Sequence, residues 1–150
     1  MIRLATAEDA GEVTRLMLLF RDWWARDWPP DESWRRGVQL LLADERTDVL
    51  LGGEPASGVA VLRYRHSLWQ DALDCSLEDL YVEEHARRSG LGARLVSAAL
   101  ERARERGCRR VELDVNEANE PALALYEKLG FSAFSGELSG RNLLMRHYFA

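Results

Sequence analysis

Apolar and polar positions change period repeatedly along this chain, and each change marks an element. Residues 2–5 form a short apolar strand, and Thr6 with Asp9 three residues on reads as a helix start in a shortened capping box. Val13, Leu16, Met17 and Phe20 recur at the spacing of one helix face. Trp28-Pro29-Pro30 breaks that helix, and Asp31 or Ser33 starts a second with Trp34, Val38, Leu41 and Leu42 turned inward. Strands are predicted over 47–51, 58–65 and 73–82, separated by the Gly52-Gly53-Glu54-Pro55 turn and a loop over 66–72. A third helix over 90–107 buries Leu91, Leu95, Ala98, Ala99 and Ala103, and Gly107 caps its end. Residues 110–115 alternate as a strand. Residues 119–129 form a helix that accommodates Pro121 in its first turn and stops at Gly130. Residues 131–134 and 142–149 read as closing strands. The predicted order is β-α-α-β-β-β-α-β-α-β-β, a mixed α/β (α+β) sheet whose last strands return antiparallel.

A length of 150 residues suits one domain over 1–150. Hydrophobic residues at 47% and charged residues at 30% are the balance of an ordinary globular chain. No stretch approaches the roughly 18–20 apolar residues of a membrane span, and the opening Met1-Ile2-Arg3-Leu4-Ala5 lacks the pattern of a signal peptide. A cytoplasmic protein with no membrane partner is the expectation. Cys75 and Cys108 belong to no C-x-x-C and lack further metal ligands, so both read as reduced, partly buried thiols.

The net charge of −5 argues against a nucleic-acid partner. Arg94, Arg102, Arg104, Arg106, Arg109 and Arg110 are explained mostly by a solvated helix face interspersed with Glu101 and Glu105; only Arg87 and Arg88 stand at a turn. Acidic residues gather at Asp22, Asp27, Asp31 and Glu32 and at Asp71, Asp74, Glu78 and Asp79. An anion-binding turn with acidic patches elsewhere suggests two ligands of opposite charge.

That turn is Arg87-Arg88-Ser89-Gly90-Leu91-Gly92, between the strand ending Leu80-Tyr81-Val82 and the third helix. Backbone N–H groups at a helix start lack partners within the helix and favour an anion. Gly90 and Gly92 let a phosphate approach the backbone, and the arginines add forked donors. The alternative is a tight connection without a ligand. The Gly-Lys-Ser/Thr ending of a P-loop and an early G-x-G-x-x-G are absent, which disfavours a nucleoside triphosphate or a dinucleotide.

These residues resemble the GNAT superfamily of acyl-CoA-dependent N-acyltransferases. Arg87, Gly90 and Gly92 meet its Arg/Gln-x-x-Gly-x-Gly/Ala pattern, and Leu80-Tyr81-Val82 is similar to its splayed central strand. Asn119 followed by Tyr126, Gly130 and Phe131 resembles its second signature. Trp69, the Leu77-Glu78-Asp79-Leu80 run, Asn119-Glu120-Pro121 and Tyr126 are similar to the diamine (spermidine/spermine) branch. The tryptophan-rich opening, with Trp23, Trp24, Trp28 and Trp34, departs from that branch and leaves the acceptor open.

The resemblance implies acetyl-CoA as co-substrate. Backbone N–H groups of Arg88, Ser89, Gly90, Leu91, Gly92 and Ala93 would cradle the pyrophosphate. Main-chain groups of Leu80, Tyr81 and Val82 would pair with the pantetheine arm as an added strand, and one N–H there would polarise the thioester carbonyl. Asn119 would bond the pantetheine or orient the next helix. Amine attack expels a thiolate, whose conjugate acid has a pKa of about 8.5 if it behaves like cysteine, and Tyr126 would donate its proton; its other reading is a packed helix tyrosine.

An alkylamine is mostly protonated at neutral pH, so its proton needs a route. Strand alternation puts Glu78 and Asp79 on opposite faces. Glu78 is the candidate base, through water, and Asp79 a cation-binding or structural carboxylate; a surface or strand-pairing role is open for either. Trp69 would offer a cation–π contact or anchor its loop. Trp24 and Trp28 lie where the acceptor site is built. No Cys–His arrangement supports a covalent enzyme intermediate. The expected activity is direct acetyl transfer to a small cationic amine. An aminoglycoside or protein amine acceptor, and a non-catalytic acyl-CoA-binding module, are the alternatives. A homodimer pairing through the last strands would cover an otherwise unprotected edge.

Overall fold

The computed structural model describes residues 1–134 and 136–150. It groups them into two compact units, Met1–Leu113 and Asp114–Ala150. The first holds β1 (Ile2–Leu4), α1 (Ala10–Trp23), α2 (Asp31–Ala43), β2 (Thr47–Gly52), β3 (Gly58–Ser67), β4 (Ala72–Val82), α3 (Leu91–Glu105) and β5 (Val111–Glu112); the second holds α4 (Glu120–Lys128). The strands lie in chain order in one sheet, antiparallel through β4, with β5 parallel to β4. No described helix is long and apolar enough to cross a membrane.

The predicted periodicities decide the layers of the first unit. Val13, Leu16, Met17 and Val38 from α1 and α2 pack with Val49, Leu51, Val59, Val61 and Tyr81 of the sheet. On α3, Leu91, Leu95, Val96, Ala99 and Ala103 are buried. That helix sits low over the sheet because Gly52 and Gly58 lack side chains: a Cβ on either would stand 2.8 Å from a leucine methyl of α3. The helix start at Thr6 is as expected, with the Thr6 N–H donating to Asp9 Oδ2 at 2.8 Å.

Two sequence expectations change. The strand expected over 110–115 is only Val111–Glu112, paired with Cys75 and Ser76. Past Ser76, the edge of β4 away from β3 carries no ladder among the described residues. The closing strands over 131–134 and 142–149 are not formed either. Among the described residues one backbone bond joins them, from Asn142 N–H to Ala133 O at 3.2 Å. A strand exists by virtue of its ladder, and apolar alternation alone does not supply one.

Acidic residues expected to form ligand patches are largely paired internally. Arg21 bonds Asp22, Asp31 and the Pro29 carbonyl, which fixes the connection between α1 and α2. The buried Asp74 is held by Arg110 at 2.7 Å.

Candidate active site

The turn after β4 joins the strand to α3 through two backbone positions of positive φ. A short 3-10 turn (Glu84–Ala86) leads into it, and Gly90 precedes α3 at φ +82°, a left-handed conformation that glycine adopts without strain. The Arg94 N–H donates to Gly90 O as the first bond of the helix, which leaves the N–H groups of Leu91, Gly92 and Ala93 outside its ladder. Arg88 also has positive φ, +63°. The Ser89 hydroxyl donates to Ala86 O and Arg94 Nη1 donates to Ser89 O, so side chains tie the loop from both ends.

The two arginines divide their roles. Arg87 Nε donates to Val82 O at 2.9 Å, and its guanidinium lies 5.8 Å from the ring centres of both Trp23 and Tyr81. It braces the turn against β4 and the end of α1. Arg88 is exposed and lines a shallow hollow with Glu84 and Arg87, so it is the charge at the turn most available to a phosphate.

Aromatic contacts carry this brace into α1. Phe20 stacks on Tyr81 at 5.2 Å and stands 6.4 Å from Trp24, which meets Trp23 edge-on at 4.8 Å. Trp24, Tyr81, Val82 and Arg87 are thus brought into one neighbourhood. Trp28 is 72% exposed on the connection to α2. Trp69 is 94% exposed at the tip of the β3–β4 hairpin. The strand carries Glu78 about 20 Å from that tip, at roughly 3.3 Å per residue. Within one chain Trp69 is not brought to the Glu78–Asp79 pair.

The expected opposite facing of Glu78 and Asp79 does not hold, and the reason is a β-bulge. Val61 pairs with Asp79 but Leu62 pairs with Leu77, so Glu78 is an extra residue that breaks the alternation of β4. Glu78 accepts from Arg63 at 3.4 Å, and Arg63 alternates onto the same face of β3 as Val61. Asp79 reaches that same face. There it helps line a cavity of about 380 Å³ between α1, α2 and the sheet. Sequence reading missed this cavity: it placed Met17 and Trp34 on apolar helix faces and did not single out Gly37. The one signal available was Gly37, a glycine inside an apolar-periodic helix. Trp34, also in its wall, has an indole N–H that is buried without a partner among the described residues.

In the second unit the Asn119 side chain accepts from the Ala122 N–H at 3.4 Å and so caps α4. That is the helix-orienting role of the two considered. Tyr126 packs edge-on to Phe131 at 5.8 Å. Burial, with a smaller push from Asp114, holds its phenol above the usual tyrosine range. Burial pushes the Cys75 thiol up to about 12 and also raises Cys108, so neither is poised as a thiolate nucleophile.

Comparison with known proteins shows what the chain as a whole is similar to. Residues 13–131 match the model of the acetyltransferase (GNAT) family. The chain is 38% identical over 95 residues to streptothricin acetyltransferase of Streptomyces lavendulae, covering 63% of this chain and 48% of that protein. It is 32% identical over 82 residues to thialysine N-epsilon-acetyltransferase of Bos taurus, covering 52% of this chain and 48% of that one. The chain thus spans about half the length of the curated relatives it matches. A crystal structure from Arthrobacter sp. FB24, described as an acetyltransferase, superposes with a TM-score of 0.90 at 30% identity, over 99% of this chain and 96% of that one.

Proposed function

We propose that this chain, which belongs to the acetyltransferase (GNAT) family, transfers an acetyl group from acetyl-CoA directly to a primary amine of a small cationic molecule. The observation that carries the reading is the turn after β4, where unladdered helix N–H groups, a left-handed Gly90 and an exposed Arg88 adjoin a strand edge open past Ser76. These features fit the co-substrate. N–H groups from Arg88 to Ala93 would receive the pyrophosphate, and the open edge at Leu80, Tyr81 and Val82 would receive the extended amide arm. Bound there, acetyl-CoA supplies the activated acyl group.

The chain's residues then have defined tasks. A backbone N–H of the Leu80–Val82 edge donates to the thioester oxygen as negative charge grows on it. Glu78, at the bulge, takes the amine proton through water. Tyr126 gives a proton to the departing sulfur; a buried phenol stays protonated at neutral pH, as that task requires. Asp79, Trp24 and Trp28 belong to the acceptor side, whereas Trp69, at the hairpin tip about 20 Å from Glu78, lies outside it within one chain. The same reading places the protein in the cytoplasm as one catalytic domain and pairs two copies through residues 141–149, where Tyr148 and Phe149 are exposed.

Similarity to an enzyme named for N-epsilon acetylation supports an amine acceptor. The test is thiol release from acetyl-CoA across polyamines, aminoglycosides, amino acids and peptide N-termini. Turnover with one class is expected, with kcat reduced at least tenfold in Tyr126→Phe while CoA still binds, and reduced in Glu78→Gln. CoA binding without turnover on any amine would replace this reading with a non-catalytic acyl-CoA-binding module.

A further inference from the structure

The cavity beneath α2 is apolar on nearly every side. Met17, Trp34, Val38 and Leu41 form much of its wall, and Asp79 is its one charged residue. Its volume of about 380 Å³ lies in the range of small-ligand sites. We propose that the acceptor is a primary amine on an apolar body, aromatic or branched aliphatic, with the body seated in this cavity and the ammonium at Asp79. The proposal rests on the acetyl-transfer reading of the neighbouring strand edge and narrows it.

Gly37 is the first support. It lies inside α2, on the face shared by Trp34, Val38 and Leu41, where a glycine weakens a helix. Packing does not require it, because an added Cβ there would meet nothing within 4 Å. The missing side chain leaves the cavity open. Asp79 is the second support. The bulge at Glu78 turns it into the cavity wall, one residue before Leu80 and the open edge. An amine held there stands beside the place where the thioester carbonyl is polarised. Transfer forms the amide C–N bond and breaks the thioester C–S bond; the ammonium nitrogen gives up two protons, one passing to solvent and one through water to Glu78, which balances the proton that Tyr126 gives to the sulfur.

The same chamber disfavours a polyamine. Additional ammonium groups would be desolvated among apolar walls. Nearby carboxylates already have guanidinium partners, Asp31 with Arg21 and Glu78 with Arg63.

The experiment compares kcat/KM by thiol release for cyclohexylmethylamine, propylamine and spermidine, in the wild type and in Gly37→Leu. In the wild type cyclohexylmethylamine should exceed each of the others at least tenfold. Gly37→Leu should bring the ratio of cyclohexylmethylamine to propylamine near one, while melting no lower than the wild type. Preference for spermidine, or an undiminished ratio in Gly37→Leu, overturns the cavity assignment and leaves acetyl transfer standing. Tryptophan fluorescence during titration with cyclohexylmethylamine reads the cavity without turnover. Saturable binding that Gly37→Leu abolishes upholds the assignment even where no amine is acetylated, and absence of saturable binding overturns it.

Discussion

Replacing Gly90 with alanine tests the turn, and the size of the effect follows from one dihedral angle. Gly90 sits at φ +82°. An L-residue held in the left-handed region costs roughly 1–2 kcal/mol. An added Cβ also lies 3.2 Å from Arg94 Nη1, the far end of a side chain able to give way, so the dihedral decides the cost. Two extremes bound the outcome. If the turn keeps its shape, the free protein loses about 1–2 kcal/mol of stability, on the order of 2–8 °C in melting temperature for a chain of this size. If the turn relaxes, the free protein melts nearly as before, and CoA must restore the shape on binding. Its affinity then falls about 5- to 30-fold, since 1.4 kcal/mol is tenfold. Either way, the CoA-saturated variant is less stable than the saturated wild type by the full amount.

The control is Gly107→Ala. Gly107 has φ +84° with nothing near an added Cβ, so it carries the same strain at the opposite end of α3. It should lower stability without changing CoA affinity. Thermal unfolding with and without CoA, together with calorimetric titration, gives both quantities. Unaltered stability and affinity in Gly90→Ala, or an equal weakening of CoA by Gly107→Ala, would contradict a specific role for the Gly90 turn.

Three further outcomes are expected. Leu16→Ala, at a fully buried position of α1, should cost about 2–5 kcal/mol by urea unfolding; a loss below 1 kcal/mol would mean that α1 is not seated as described. Because burial raises the Tyr126 phenol above its usual value near 10, kcat should climb as the acceptor amine deprotonates and should not fall below about pH 10 through loss of the phenol proton. A basic limb below pH 9 that disappears in Tyr126→Phe would contradict this. Asp74→Asn should cost about 1.5–3 kcal/mol near neutral pH, the range for a hydrogen bond to a charged group. Arg110 is the strongest influence that holds Asp74 low, against the opposing push of burial. Its stabilisation is therefore complete above the ordinary aspartate range and is lost as pH falls through the depressed value. Glu112 is raised, chiefly by burial, and its contribution runs the other way, present in acid and lost as pH rises. Urea midpoints for wild type and variant should accordingly converge only in strong acid; a constant gap would refute the assignment.

Much of the fold could be read from periodicity because its elements are amphipathic and bounded by strong breakers. The i, i+3, i+4 spacing of Val13, Leu16 and Met17 and the Trp28-Pro29-Pro30 stop are local signals, and the structure follows them. The turn at Gly90 ahead of α3 was legible for the same reason. What periodicity could not show depends on register between strands. The bulge at Glu78 exists only in the pairing of β4 with β3, so simple alternation assigned Glu78 and Asp79 to opposite faces. Residues 142–149 look like a strand by composition but lack the ladder that would make them one. Arg87 read as a phosphate ligand, yet its Nε bonds Val82 O between two aromatic rings contributed by separate elements. Gly37 was visible in the sequence, and its meaning was not, because the space beside it is enclosed by residues far apart in the chain.

The proposed reaction depends on acetyl-CoA binding at the turn from Arg88 to Ala93 and the open edge of β4. Calorimetric titration of acetyl-CoA into the purified chain tests it most directly. Saturable binding at one site per chain is expected, weakened in Arg88→Ala, whose guanidinium is exposed at the turn. Absence of binding to a folded wild type would contradict the assignment of the turn and the proposed reaction built on it.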